Sequence, residues 1–373
     1  MAMVSKPTMV LFLLLASCRA PTKGGAGAEG TGPPGDTALA EDTALAEDTA
    51  LASPGCASGV SVLPSGTHTL DDQGVPRVYR LFVPSSVRAD SPAPLVAVFH
   101  GWGGDEDEFL GAEVVQAEAE ARGVVLVAPR GLGSGPPDRS HNSWSFSGST
   151  TGLTPSGSPT CDPVATPDYS YPSCREGSPP IAENTCSWTH CQVDDVAFVL
   201  ALVAHLGREL CLDTGRIFAT GGSNGGMFTW ELGQRTADVP VFAAIAPVIG
   251  LPHEGYLQAN PELPVMLTTG TRDSTVPPGE WEDPTPTTTT DGDRFHYTGA
   301  TAITRSWARA RGCDVTVEAA AFDDGESRTD CRSYCPAGAG WPAVLDCRVD
   351  MGHTYGLAWS WPLMLDFFDA QSR

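Results

Sequence analysis

Gly221-x-Ser223-x-Gly225 is the stretch of this chain whose residue types and spacing best suit covalent chemistry. An apolar run, Ile217-Phe218-Ala219, leads into it, and a segment able to form a helix, 227–233, follows. A serine so placed sits on a sharp strand-to-helix turn, where glycine two positions before and two after lets backbone pass close by. Its hydroxyl is then held clear of the sheet. The first N–H groups of the helix, and its positive dipole end, meet any negative charge that builds beside it. That is an arrangement for acyl transfer, in which an alcohol attacks a carbonyl and donors hold the oxyanion. Glycine-rich turns are common, so the motif needs partners before it means anything.

A serine alcohol becomes a nucleophile when a histidine takes its proton and a carboxylate fixes the tautomer of that histidine. On a strand–turn–helix scaffold of this kind the chain order is Ser, acid, His. After the run 265–269 comes Gly270-Thr-Arg-Asp273, and after 345–349 comes Asp350-Met-Gly-His353, each on a loop that leaves a strand. Asp273 and His353 are therefore the expected partners of Ser223, with Asp291, Asp293 and Asp350 as weaker rivals for the acid. His190, His205, His253 and His296 fall on helices or in irregular segments and lack the strand-then-loop setting. One oxyanion donor is expected at the backbone N–H of Asn224, the residue after the serine. The other is expected at Trp102 N–H, in the glycine-rich turn His100-Gly-Trp102-Gly-Gly104. His100 is assigned to shaping that loop, not to proton transfer.

Elements able to position these groups are visible as short runs rich in β-branched and aromatic residues at 78–83, 95–99, 124–128, 217–220, 243–247, 265–269, 315–320 and 345–349. Several are apolar throughout, as in strands covered on both faces. Helical patterns occupy 106–122, 193–210, 225–235, 300–311 and 361–369. The alternation predicts an α/β fold, a doubly wound and mostly parallel sheet with helices on both faces. Asp194 and Asp195 read as a cap and dipole partner of the second helix. Two stretches interrupt the pattern. Residues 132–192 are rich in Ser, Pro, Gly and Thr and hold four cysteines, and 279–297 contain Pro284-Thr-Pro-Thr-Thr-Thr-Thr290. Long irregular segments that follow strands are placed to wall a crevice at the carboxyl ends of a parallel sheet.

Residues 1–17 carry Lys6, the apolar run 9–16 and small residues before Cys18, the order of a secretory leader too short to span a bilayer. Leu15-Ala16-Ser17-Cys18 resembles the lipobox of bacterial lipoproteins, which implies cleavage before Cys18 and lipidation of its thiol; the alternative is an ordinary signal peptide with an incidental cysteine and a secreted product. Arg19 rather than Asp after that cysteine implies the outer membrane rather than retention at the inner one. Residues 18–55, rich in Gly, Ala, Pro and Thr with a repeated Asp-Thr-Ala-Leu-Ala, cannot bury enough to offset their chain entropy and read as a tether. That leaves 56–373 as one catalytic domain. With Cys18 acylated, ten of the 11 cysteines remain, an even number that points to as many as five disulfides whose pairing the sequence leaves open. Cys331-x-x-x-Cys335 and Cys186-x4-Cys191 lack histidines at ligand spacing, so neither metal nor cofactor is expected. A formal charge of -23 excludes nucleic acid and anionic membrane surfaces as partners, leaving the N-terminal lipid as the membrane contact.

Six motifs occur in order: His100-Gly-Trp-Gly-Gly104, Cys186-Ser-Trp-Thr-His-Cys-Gln-Val-Asp-Asp195-Val-Ala-Phe198, Arg216-Ile-Phe-Ala-Thr-Gly-Gly-Ser223-Asn-Gly-Gly-Met227, Gly270-Thr-Arg-Asp273 with Val276-Pro277, Trp307 through Gly312-Cys313, and Gly352-His353-Thr. Together they resemble the secreted polyhydroxybutyrate depolymerase and feruloyl esterase family of α/β-hydrolases, from about Arg77 to the C-terminus. The resemblance implies ester hydrolysis by Ser223, Asp273 and His353 in an exported, disulfide-stabilised enzyme. Its substrates would be a polyester or a hydroxycinnamoyl- or acetyl-decorated polysaccharide. Family members often continue the last motif as Trp-Pro, whereas this chain has Tyr355-Gly356. Trp144, Trp188, Trp281, Trp341 and Trp359 could stack on a sugar or ferulate ring, although burial or packing at a rim is the commoner fate of such residues. Two other readings stand beside the esterase: a surface binding protein on a silent hydrolase scaffold, and a serine peptidase using the same three residues.

Overall fold

In the computed structural model, which describes residues 51–57, 63–135, 140–164, 186–187, 189, 193–290, 292, 294–335 and 340–373, the chain builds a ten-stranded sheet. Its strands are β1 (Gly66–Asp72), β2 (Val75–Phe82), β3 (Ala93–Phe99), β4 (Val125–Pro129), β5 (Leu212–Gly222), β6 (Ala244–Val248) and β7 (Val265–Gly270). A separate two-stranded pair follows, β8 (Thr287–Thr288) and β9 (His296–Tyr297), and then β10 (Ala320–Phe322), β11 (Thr329–Ser333) and β12 (Val344–Val349) complete the sheet. The spatial order is β1-β2-β4-β3-β5-β6-β7-β12-β11-β10. From β4 to β12 all neighbours pair in parallel, and the two strands at each flank pair antiparallel. The chain winds outward from β3 to β4, then crosses back to β5 and proceeds the other way. The direction of winding thus reverses between β3 and β5, and in open α/β sheets the ligand crevice lies at such a point.

Among the described residues six α-helices cover the sheet: α1 (Asp107–Leu110), α2 (Glu113–Arg122), α3 (Asp195–Glu209), α4 (Asn224–Arg235), α5 (Ala300–Ala310) and α6 (Leu357–Asp369). Every residue of β3 is buried, and side chains alternate across it. Leu95, Ala97 and Phe99 join the core under α3, α4 and α5, and Val96 and Val98 join the core under α1, α2 and α6. This two-sided burial is why the central strands read as unbroken apolar runs.

The two segments that break the alternation meet each other. Cys161 bridges Phe295, His296 N–H donates to Thr160 O at 2.8 Å, and Asp162 N–H donates to Arg294 O at 3.1 Å. His253, fully buried, stacks on Phe146 of the first and Tyr297 of the second, each at 5.3 Å between ring centroids.

Several boundaries differ from the sequence reading. No strand forms over 315–319, where Val317 is 53% exposed; the edge strand begins only at Ala320, because β-branched alternation without a neighbour to pair does not make a strand. α6 starts at Leu357, a turn before the expected 361, with Pro362 inside it. The expected helix over 106–122 is two, split at Gly111 and Ala112. The folded part begins before Cys56: Ala52 bridges Asp213, and the buried Ser53 hydroxyl donates to Leu210 O at 2.9 Å. Asp194 caps α3 through Val196 and Ala197 N–H, but Asp195 is not simply a dipole partner. It is buried, pairs with the equally buried Arg77 at 2.8 Å, and accepts from Ser145 N–H at 2.9 Å.

Disulfides join Cys56 to Cys211, Cys161 to Cys186, Cys313 to Cys335 and Cys331 to Cys347. Cys18, Cys174 and Cys191 lie outside the described residues, as do residues 1–17 and most of the expected tether. Among the described residues no helix is long and apolar enough to cross a membrane.

Candidate active site

Ser223 lies between β5 and α4 with φ 54° and ψ −118°, a backbone conformation that ordinary residues avoid. Close packing around it explains the flanking glycines. A Cβ on Gly225 would lie 2.1 Å from Phe99 O, and one on Gly221 would lie 2.5 Å from Gly225 O. Ser223 N–H donates to Val248 O at 3.0 Å, which ties the bend to the end of β6.

The structure brings Ser223, His353 and Asp273 into one line. His353 Nε2 is 2.9 Å from Ser223 Oγ, and His353 Nδ1 is 2.8 Å from Asp273 Oδ2. The Asp273 side chain is buried, while that of His353 is partly open to solvent. Thr275 and Val276 N–H groups donate to the other oxygen of Asp273, at 2.9 and 2.8 Å, and so fix the carboxylate in a tight turn after β7. With a carboxylate facing Nδ1, the ring proton resides there, and Nε2 is left to accept from the serine hydroxyl. Of the rival acids, Asp350 points into an exposed ion pair with Arg272 at 2.6 Å, and Asp291 and Asp293 lie outside the described residues. His190 also lies outside them.

The two expected oxyanion donors come from the loops after β3 and β5, either side of the winding reversal. Asn224 opens α4, where the first N–H groups have no carbonyl one turn back to bond. On the other loop His100 is fully buried, and burial lowers its pKa to about 4, so the ring is neutral. Gly131 N–H donates to Nε2 at 2.9 Å, which leaves the proton on Nδ1 to be donated to Gly101 O at 2.7 Å. That oxygen and Trp102 N–H belong to one planar trans peptide and point in opposite directions. Gripping the oxygen therefore aims the Trp102 N–H away from His100.

A strut that sequence reasoning missed joins the two loops. Trp144 N–H donates to Asn224 Oδ1 at 2.7 Å, Asn224 Nδ2 donates to Trp144 O at 3.3 Å, and the Trp144 indole donates to His100 O at 3.1 Å. Beside it, Gly103 N–H donates to Asn142 O at 2.7 Å and Asn142 Nδ2 donates to Gly104 O at 2.8 Å. Asp195, through Ser145 N–H, holds the next residue of the same segment. The signal in the sequence was an aromatic residue in a largely polar stretch, which suits a packed ring as well as a substrate platform. Trp144 is wholly buried, stacked on Phe228 at 5.0 Å.

The other tryptophans are similarly engaged. Trp281 lies against the guanidinium groups of Arg332 and Arg348, at 4.2 and 3.8 Å, and Trp341 packs on Phe322 and Phe367. Trp359 is half-buried beside Tyr355. Trp188 lies outside the described residues. Asp324 lies near Cys331 and Cys347, a grouping of metal-binding residue types, but the two sulfurs are joined to each other and offer no thiolate.

No protein-family model matches the chain. It is 23% identical over 230 residues to a probable feruloyl esterase C of Aspergillus niger, a match covering 60% of this chain and 63% of that protein. The chain thus spans less than two thirds of that relative's length. Among solved structures it is similar to an acetyl xylan esterase from Aspergillus awamori, with a TM-score of 0.50 and 14% identity, over 81% of this chain and 99% of that one. It is also similar to a thermostable esterase, with a TM-score of 0.42 and 17% identity, over 83% of this chain and 63% of that one.

Proposed function

We propose that this chain, which has the α/β-hydrolase fold, is an exported serine carboxylesterase. The observation that carries the reading is the hydrogen-bonded line from Asp273 through His353 to the oxygen of a strained Ser223. In the proposed reaction, Ser223 Oγ attacks the ester carbonyl carbon as its proton passes to His353 Nε2. Asp273 holds the Nδ1 proton in place and stabilises the imidazolium. The carbonyl oxygen gains the negative charge, met by the amides of Trp102 and Asn224. His353 then gives its proton to the departing alcohol, and an acyl-serine remains. A water molecule repeats the sequence, losing its proton to His353, and the acid leaves as Ser223 recovers its hydrogen.

For the substrate we propose an ester carried on a polymer, either a polyester or a polysaccharide bearing hydroxycinnamoyl or acetyl groups. The similarity to a feruloyl esterase and to an acetyl xylan esterase supports the second class. Export is supported by the disulfides, which persist in oxidising compartments. Attachment to a membrane through lipid on Cys18 rests on the leader pattern alone.

The test is hydrolysis of short-chain p-nitrophenyl esters by the wild type, Ser223→Ala and His353→Ala, with matched amides alongside. Turnover of esters but not amides, nearly abolished in both variants, is the expected result. Undiminished turnover by Ser223→Ala would remove the proposal.

A further inference from the structure

Tyr355 stands two residues beyond His353, where the resembling family often has tryptophan, and its surroundings give that difference a purpose. The edge of its ring lies against the elbow backbone: a Cβ on Gly222 would be 2.1 Å from Tyr355 Cε1. Its hydroxyl lies against the oxyanion loop, 2.5 Å from where a Cβ on Gly101 would be. The carboxylate of Glu108 on α1 lies at the same point, its Oε1 3.4 Å from that Cβ position, and Glu108 Oε2 accepts from Gly101 N–H at 3.1 Å. Phe109, the next residue of α1, packs on the same ring at 4.8 Å and closes its outer side.

Gly101 is therefore held from both ends. Glu108 takes its N–H, His100 takes its carbonyl oxygen, and the peptide that carries Trp102 N–H is left with no freedom to swing. Glycine without such restraint has the widest conformational range of any residue. The carboxylate is half-buried, so a further donor beside it matters, and the phenol hydroxyl is the group placed to supply one.

We propose that Tyr355 and Glu108 form a positioning pair that sets the oxyanion loop in register with Ser223, Tyr355 tying the loop of the histidine to the other two. The proposal rests on the hydrolase reading above. In this role both side chains act through the loop and not on the reacting atoms. A tryptophan at 355 would fill the space against Gly222 but present no hydroxyl to Glu108, so the arrangement belongs to this chain's own pair of residues.

The experiment compares wild type, Tyr355→Phe, Glu108→Gln and the double variant, each first shown folded by its thermal unfolding transition. Turnover of a p-nitrophenyl ester and affinity for a boronic acid that mimics the tetrahedral intermediate are then measured. Direct removal of an oxyanion donor costs about 10²–10³ in kcat, so loosening one through its support is expected to cost about tenfold. Tyr355→Phe should lose that factor in kcat with KM nearly unchanged, and lose boronate affinity in parallel. Glu108→Gln keeps an oxygen for Gly101 N–H and should lose less, and the double variant should be no worse than Tyr355→Phe. Full kcat in folded Tyr355→Phe, or a loss carried by KM alone, overturns the positioning role while wild-type turnover leaves the hydrolase reading intact. A wild type without turnover, or an active Ser223→Ala, overturns both.

Discussion

His253 offers a sharp test of how burial works in this structure. Its ring is fully buried in a stack with Phe146 and Tyr297, and its Nδ1 lies 3.4 Å from His296 O. Burial lowers its pKa from 6.5 to about 4. Between those values the unfolded chain binds a proton that the folded chain does not, so stability rises with pH through the window and is lost as pH falls from 6.5 towards 4. A shift of that size corresponds to about 3 kcal/mol between pH 7 and pH 4. His253→Phe keeps a ring in the stack but removes the titration. Its bond to His296 O is lost too, at a cost of about 1 kcal/mol that does not vary with pH. Urea unfolding of both proteins at pH 7, 5.5 and 4 should show the variant gaining on the wild type by about 3 kcal/mol as the solution is acidified. His100 and the buried carboxylates Asp195, Glu231 and Asp346 titrate in both proteins and cancel in the difference. Two curves that stay parallel from pH 7 to pH 4 would refute the reasoning.

Three further outcomes follow from the same kind of argument. Asp195→Ala leaves the Arg77 guanidinium buried without its partner and should lower unfolding stability by about 3–5 kcal/mol, read from denaturant midpoints. Replacing both Cys56 and Cys211 by serine opens a closure across 155 residues and should cost up to about 5 kcal/mol, seen as a lower melting temperature under non-reducing conditions. Asp273→Asn would present an amide to His353 Nδ1, favour the wrong tautomer and lower kcat on p-nitrophenyl esters by about 10⁴, with ester KM little changed.

The convergence of the three candidate residues could be read from the sequence because each group carried its own local signature. Ser223 sat between small residues that a tight bend requires, and Asp273 and His353 each followed an apolar run that had to be a central strand. Where the signature was weak the reading failed. β1 alternates Thr, His, Thr, Leu and Asp at a half-exposed edge, so its apolar content never rose above that of a loop. β11 is five residues, Thr-Asp-Cys-Arg-Ser, made a strand by its neighbour β12 rather than by its composition. Asp195 looked like a surface cap because its partner Arg77 is 118 positions away and nothing near either residue announces the pairing. Trp144 could not be told apart from its fellow tryptophans for the same reason: a buried indole and an exposed one are spelled alike, and only the main-chain groups that surround it distinguish them.

The torsion angles at Ser223 have one last implication. A non-glycine residue held in such a conformation gives up roughly 1–3 kcal/mol relative to a relaxed bend. Glycine at 223 would recover part of that and lose the alcohol altogether, so at this position stability and the proposed chemistry pull in opposite directions. Any search for tougher versions that scores survival alone would drift towards discarding the proposed nucleophile, and has to be run with turnover as a second gate.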